Sequence, residues 1–85
     1  MTRRHSPQRI ATPAQLLGTL AARRRALKLS QGDLAAKLGI HQTHLARLES
    51  GQRALDLDRL IQLLNLLGLD LLVQEGEKGP AKVEW

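Results

Sequence analysis

The chain has 85 residues, no cysteine, and Trp85 as its only aromatic side chain. A domain of this length buries only about 60% of the surface of its unfolded chain, so self-association would add stability. The composition excludes disulfide bonds and cysteine-based zinc sites, and the absence of a long apolar run predicts a cytoplasmic protein with no membrane span.

The charge is distributed unevenly along the chain. The formal net charge is +5; residues 1–28 carry seven basic and no acidic side chains, whereas residues 29–85 carry six basic and eight acidic ones. This asymmetry favours a polyanionic partner. Nucleic acid is a better candidate than a membrane surface, because no basic helix here also carries Trp or Phe anchors. The alternative is a solvated face that serves solubility.

Residues 1–11 are predicted to form a flexible basic arm, and the first helix is expected over 13–28. Thr12 is its predicted N-cap, followed by Pro13 at the first helical position and Gln15, which can reach back to the cap. The predicted buried stripe consists of Leu16, Leu17, Leu20 and Leu27. Arg23, Arg24 and Arg25 are predicted to lie mostly off this stripe.

Three further helices are predicted, each with its own start and stop signals. Ser30 caps the second, which buries Leu34 and Leu38 and ends at Gly39, a residue expected in the left-handed conformation. The third spans His41–Ser50 and stops at Gly51. Asp56 caps the fourth, which ends at Gly68. Its predicted buried residues are Leu57, Leu60, Ile61, Leu64 and Leu67.

From residue 69 to residue 75 the pattern changes: Leu69, Leu71 and Val73 alternate with the residues between them, which predicts a short strand. A lone strand needs a partner, and the same strand of a second copy is the expected one, which gives a homodimer. The predicted interface residues are Leu69, Leu71, Leu72 and Val73. Residues 12–75 thus form the predicted folded domain, and residues 76–85 form a flexible tail.

The segment at 31–50 has the spacing of a helix-turn-helix. Ala35 is small enough for a close approach of the two helices, Gly39 makes the turn, and Leu45 and Leu48 hold the crossing. The sequence therefore predicts a mainly α-helical domain of four or five helices.

The outward face of the third helix carries the predicted contacts to DNA bases. If Leu45 and Leu48 face inward, the exposed residues are polar but carry almost no opposed charge, which suits hydrogen bonding. Gln42 matches an adenine edge, Arg47 a guanine edge, and Thr43 a hydroxyl or thymine-methyl contact. The predicted base-contacting set is His41, Gln42, Thr43 and Arg47. The alternative is that these are merely tolerated surface residues.

A second group of residues is predicted to contact phosphates. Gln31 lies at a helix N-terminus, where its amide either bonds a phosphate or braces Gln42. The basic arm either enters a minor groove or remains a mobile tail. The full predicted set is Gln31, His44, Arg53, Arg3, Arg4 and Arg9.

Other chemistries lack their required residues. His41 and His44 supply only half a metal site, and His5 lies far away in the arm. No set of residues for catalysis or for phosphate cradling is present, so no enzyme, metal or cofactor is expected. Single-stranded nucleic acid is disfavoured because it requires aromatic stacking platforms.

Residues 12–68 resemble the Cro/C1-type (XRE) helix-turn-helix family through "LSQGDLAAKLGIHQTHLARLESGQ" and "LDLDRLIQLLNLLG". This resemblance implies that the third helix enters the major groove of operator DNA.

The order of elements after the fourth helix, a strand, a linker and a terminal "EW", is similar to the HipB-like antitoxins of Hip-type toxin–antitoxin systems. That resemblance implies a homodimer that represses its own operon and binds a HipA-like serine/threonine kinase toxin. The implied toxin-binding residues are Val83, Glu84 and Trp85. The alternatives are a stand-alone prophage-type repressor and a toxin-neutralising protein whose DNA binding is vestigial.

Overall fold

The computed structural model describes residues 7–80, which contain four helices. These are α1 (Pro13–Ala26), α2 (Gln31–Leu38), α3 (Gln42–Ser50) and α4 (Leu57–Leu66). The mainly α-helical fold predicted from the sequence is confirmed. No helix within this range is long and apolar enough to cross a bilayer.

The N-terminal caps are those that the sequence predicts. Thr12 accepts from the Gln15 amide at 3.2 Å while the Gln15 side chain accepts from the Thr12 amide, which completes a capping box. Ser30 and Asp33 make the same reciprocal pair at the start of α2, and Asp56 caps α4. Each cap satisfies amides that the first helical turn leaves without partners.

α2 and α3 form the helix-turn-helix. Gly39 adopts φ +69°, so the predicted left-handed exit of α2 is confirmed, and Gly51, where the third helix was predicted to stop, adopts φ +83°. Ala35, Leu45 and Leu48 are buried at the crossing, as predicted. His41 is the N-cap of α3 rather than its first residue, so the helix begins one position later than predicted. α3 packs against both α1 and α2.

The end of α1 differs from the prediction. The helix stops at Ala26, and Leu27, predicted to be buried, is the C-cap with 41% of its surface exposed. Lys28 takes a positive φ of 59°, which ends the helical path before residue 28. Arg24, predicted to lie mostly off the buried stripe, is instead buried, because Glu49 and a backbone carbonyl satisfy its guanidinium.

α4 buries a different set of residues from the one predicted. Leu64 and Leu67 are buried and Leu60 is partly buried, but Leu57 and Ile61 are exposed at 77% and 46%, and Leu63 takes a core position. Apolar residues occupy so many positions of this helix that their period does not define one face. Packing against α2 selects the buried face. The helix ends at Leu66, before the predicted stop at Gly68.

The predicted strand at 69–75 is absent from the described chain. A strand exists only through ladder hydrogen bonds to another strand, and no segment within 7–80 pairs with these residues. Leu69 is partly buried against the core, whereas Leu71, Leu72 and Val73 are exposed at 57%, 68% and 92%.

Candidate nucleic-acid interface

The exposed side of α3 presents the predicted base-reading residues together. His41, Gln42, Thr43 and Arg47 are all exposed, whereas Leu45 and Leu48 on the opposite side are 0% and 3% exposed. His44, a predicted phosphate contact, is half-buried and so lies at the boundary of this face. The scaffold therefore offers an amide, a hydroxyl, a guanidinium and an imidazole along one short helix.

The first residues of α3 lie close to the start of α2. A Cβ placed on Gly32 would stand 3.6 Å from the Gln42 side-chain oxygen. His41 makes no side-chain capping hydrogen bond, so its ring is not engaged at the helix end. The two helix N-termini thus meet at one edge of the candidate interface, where their free amides and dipoles favour an anion.

Gln31 is held in a buried network that joins three helices. Its Nε2 donates to Glu49 Oε1 at 2.9 Å. Glu49 also accepts from Arg24 Nε at 2.7 Å and from Arg24 Nη2 at 3.2 Å, and Arg24 Nη1 donates to the Leu29 carbonyl at 2.9 Å. The amide that was expected to bond a phosphate or to brace Gln42 is therefore engaged with Glu49.

This network fixes α3 relative to the rest of the domain. The Arg24 and Glu49 side chains are 9% and 13% exposed, and no buried side-chain polar atom within residues 7–80 lacks a partner. Buried charges are tolerated when they are paired and hydrogen-bonded in this way. The pair therefore ties α1 to the end of α3, and Gln31 ties the start of α2 to the same carboxylate.

The sequence carried a signal for this pair that its interpretation missed. Arg24 lies four residues after Leu20 and three before Leu27, so it falls on the predicted buried stripe. A charged residue on such a stripe indicates a buried partner of opposite charge, and Glu49, next to the buried Leu48, is that partner.

Arg53 lies at the other end of the candidate interface. Its backbone N–H donates to the Arg47 carbonyl at 3.1 Å, which folds the loop after Gly51 back onto the end of α3. The Arg53 side chain is exposed. The loop hydrogen bond therefore brings one predicted phosphate contact next to one predicted base contact.

Arg9 lies apart from this cluster in sequence and makes an ion pair of its own. Its Nη2 is 3.3 Å from Glu77 Oε1, and both side chains are highly exposed. Arg3 and Arg4 of the predicted phosphate set, and the predicted toxin-binding Val83, Glu84 and Trp85, lie outside the described residues.

The first turn of α2 has a perturbed carboxyl group. Hydrogen bonds from the Ser30 backbone and hydroxyl lower the pKa of Asp33, and Lys37 lowers it further. Both effects stabilise the ionised carboxylate that caps the helix. The ionised Asp33 side chain is thus part of the cap of α2, where it accepts a hydrogen bond from the Ser30 backbone N–H.

No group of three His, Cys, Asp or Glu side chains in the described part of the chain is arranged to hold a metal ion.

Comparison with protein families gives one match: the profile described as Helix-turn-helix (HTH_3) covers residues 20–73. This span exceeds half of the chain and contains α2, α3 and α4 in full. No curated protein matches the sequence.

Proposed function

We propose that the chain, which belongs to the Cro/C1 (XRE-type) helix-turn-helix family of DNA-binding transcription regulators, is a homodimeric autorepressor and the antitoxin of a HipA-like kinase. The observation that supports DNA recognition most directly is the polar face of α3. It places Gln42, Thr43 and Arg47 outward on a helix whose opposite side is fully buried.

In this proposal α3 lies in the major groove and reads base edges. Gln42 contacts an adenine, Arg47 a guanine and Thr43 a thymine methyl, and His41 completes the base-reading set at the helix start. Arg53 and His44 contact the sugar–phosphate backbone. Arg9 contributes in the same way through the arm, since an exposed pair with Glu77 contributes at most about 1 kcal/mol and yields readily to a phosphate.

Gln31 acts differently from the direct phosphate contact expected of it. Its bond to Glu49 holds the start of α2 in place, and the backbone amides of that helix start then face the phosphate. The second N–H of the Gln31 amide remains available for the same anion.

The homodimer is supported by a group of apolar side chains that one protomer leaves exposed. On α4 these are Leu57 and Ile61, and after it Leu71, Leu72 and Val73. Pairing of residues 69–75 across a two-fold axis would satisfy the backbone of this segment and cover the apolar side chains together. Two α3 helices would then read a palindrome.

The antitoxin role is supported by the HipB-like order of elements in the sequence and by the position of Trp85. Trp85 lies beyond α4 and a Gly-Pro linker, and a Trp ring in such a position is a suitable anchor for a partner pocket. A stand-alone repressor would not need the tail. This role requires a HipA-like kinase as partner, and we expect its reading frame directly beside the gene of this chain.

One comparison of variants separates base reading from phosphate contact. Gln42→Ala should cost about 1–3 kcal/mol on the operator and relax the preference at one position, whereas Arg53→Ala should weaken binding to all sequences and lower the salt slope by about one. Equal losses on operator and random DNA for Gln42→Ala would refute its base-reading role.

A second comparison tests the antitoxin role. Deleting residues 83–85 should weaken calorimetric binding to the neighbouring kinase at least about tenfold, because buried Trp side chains are frequent interface hot spots. Operator affinity of the free dimer should stay within about threefold, since the tail lies outside the helix-turn-helix. Unchanged kinase affinity, or the absence of such a kinase gene, would leave the stand-alone repressor as the function.

A further inference from the structure

An open groove of about 880 Å³ separates the start of α1 from the loop after α3. Its walls are mostly apolar, with Ile10 at one end and Leu16, Leu17, Leu55 and Leu60 along its sides. Of the residues assigned to DNA, only Arg53 lines it. The groove is therefore a feature of the surface that DNA recognition does not explain.

The C-terminal segment passes beside this groove. The 3.3 Å ion pair joins Glu77 to Arg9, and Arg9 directly precedes Ile10 in the groove wall. A hydrogen-bonded turn follows, with the Gly79 N–H donating to the Gly76 carbonyl at 3.1 Å and Gly79 at φ +71°. The ion pair therefore places Glu77 next to the residue that directly precedes Ile10 of the groove wall.

The length of the remaining chain is sufficient to cross the groove. Trp85 lies eight positions after Glu77, and a fully extended chain spans up to about 28 Å over that distance. The part of α1 that lines the groove, residues 13–18, is only about 9 Å long. A chain of this length from Glu77 is therefore sufficient to run along the α1 wall of the groove.

The chemistry of the tail matches that of the groove. The tail contains Val83 and Trp85, and an indole ring covers roughly 150–250 Å² of apolar surface. A groove of this volume is within the roughly 300–1,000 Å³ range of sites that enclose small ligands. Arg53 at its edge is complementary in charge to Glu84.

We propose that residues 81–85 dock in this groove of their own protomer, with the Trp85 ring against the leucine side chains. The docking requires neither DNA nor a toxin and so goes beyond the proposed function. Its consequence for that function is a competition: a kinase that binds Trp85 must first withdraw the tail from the groove.

The lone tryptophan makes this docking directly measurable in the free protein. Trp85 emission should be shifted to the blue relative to a synthetic peptide of residues 76–85, and acrylamide should quench it about threefold less, because the docked ring is shielded from water. Neither value should change on dilution through the dimer dissociation range, since the contact lies within one protomer.

A matched set of alanine variants locates the docking site. Ala14 and Ala54 are exposed and line the groove, whereas Ala22 is exposed on the same helix as Ala14 but outside it. The double variant Ala14→Asp/Ala54→Asp should raise acrylamide quenching to the level of the peptide, and Ala22→Asp should leave it unchanged. Circular dichroism of both variants verifies the fold, and Ala14→Asp lies in a first turn where an acidic side chain is favourable.

Two results would overturn the docking. One is wild-type Trp85 that is quenched as readily as the free peptide. The other is a shielded Trp85 that the groove variant does not expose, or that dilution exposes, because the ring would then pack elsewhere or against a second protomer. Neither result bears on the measured affinity for operator DNA or for the kinase, so failure of the docking is distinguishable from failure of the proposed function.

Discussion

At the scale of single residues, the buried guanidinium of Arg24 links α1 to α3. It contacts Glu49 through two nitrogens and the Leu29 carbonyl through a third. Three separate parts of the chain therefore depend on one side chain for their relative positions. Such a pair specifies geometry more than it adds stability, because desolvation offsets much of its Coulomb energy.

Arg24→Met should destabilise the domain by about 3–5 kcal/mol, because it leaves the Glu49 carboxylate buried without its cation. The double variant Arg24→Met/Glu49→Leu should recover most of that loss, since it removes the stranded charge as well. Urea unfolding followed by circular dichroism measures both. A single variant as stable as the wild type would show that the carboxylate finds solvent.

Asp33 gives the domain a dependence on acid pH. Its pKa is lowered in the folded protein by the Ser30 hydrogen bonds, so its contribution to stability is fully present above the unfolded pKa of about 3.9 and is lost as pH falls through the lower folded value. Asp33→Asn should therefore be less stable than the wild type at pH 6, and the difference should shrink below about pH 4. Urea midpoints across this range test it; a difference that stays constant would mean that the carboxylate charge is irrelevant to the cap.

At the scale of elements, what the sequence predicts well is what neighbours in the chain decide. The caps at Thr12 and Ser30, the left-handed turn at Gly39 and the helix stop at Gly51 depend on a few adjacent residues, and all four are confirmed. The outward face of α3 follows from its helical period, and the predicted base-contacting residues are exposed together.

What the sequence did not reveal depends on distant residues. The partner of Arg24 lies 25 positions away, and the bond of Gln31 to Glu49 spans 18 positions. The buried face of α4 was assigned wrongly at Leu57 and Ile61 because the tertiary neighbours, and not the dense leucine pattern, select that face. Local periodicity places Arg24 on the buried stripe, but it does not identify the distant partner of Arg24 or Gln31, and it does not select the buried face of α4.

The segment after α4 provides the prediction at this scale. Leu71→Asp should dissociate the proposed homodimer and weaken operator binding with it, because a charge would be buried in the paired strands. Gln74→Asp is the matched control, since it adds the same charge to a polar, exposed position of the same segment. Sedimentation at tens of micromolar measures both; a wild-type protein that is monomeric there, or a dimer that tolerates Leu71→Asp, would contradict the interface.

At the scale of the whole molecule, two kinds of surface have separate tasks in this account. In the proposed function the exposed polar face of α3 and Arg53 contact DNA, and the exposed apolar residues of α4 and 71–73 contact the second protomer. The excess of positive charge within residues 1–28 adds a field that attracts DNA of any sequence. Specificity must then come from the short polar helix, and affinity from the basic residues around it.

The central claim, that α3 reads double-stranded DNA as one half of a symmetric dimer, is tested most directly by selection from a random duplex pool followed by fluorescence anisotropy. The account predicts enrichment of a palindrome whose half-sites lie about 34 Å apart or a multiple of that. It also predicts affinity for that palindrome at least about 1,000-fold tighter than for random DNA at physiological salt. A pool without an enriched palindrome, or equal affinity for selected and random duplexes, would contradict it.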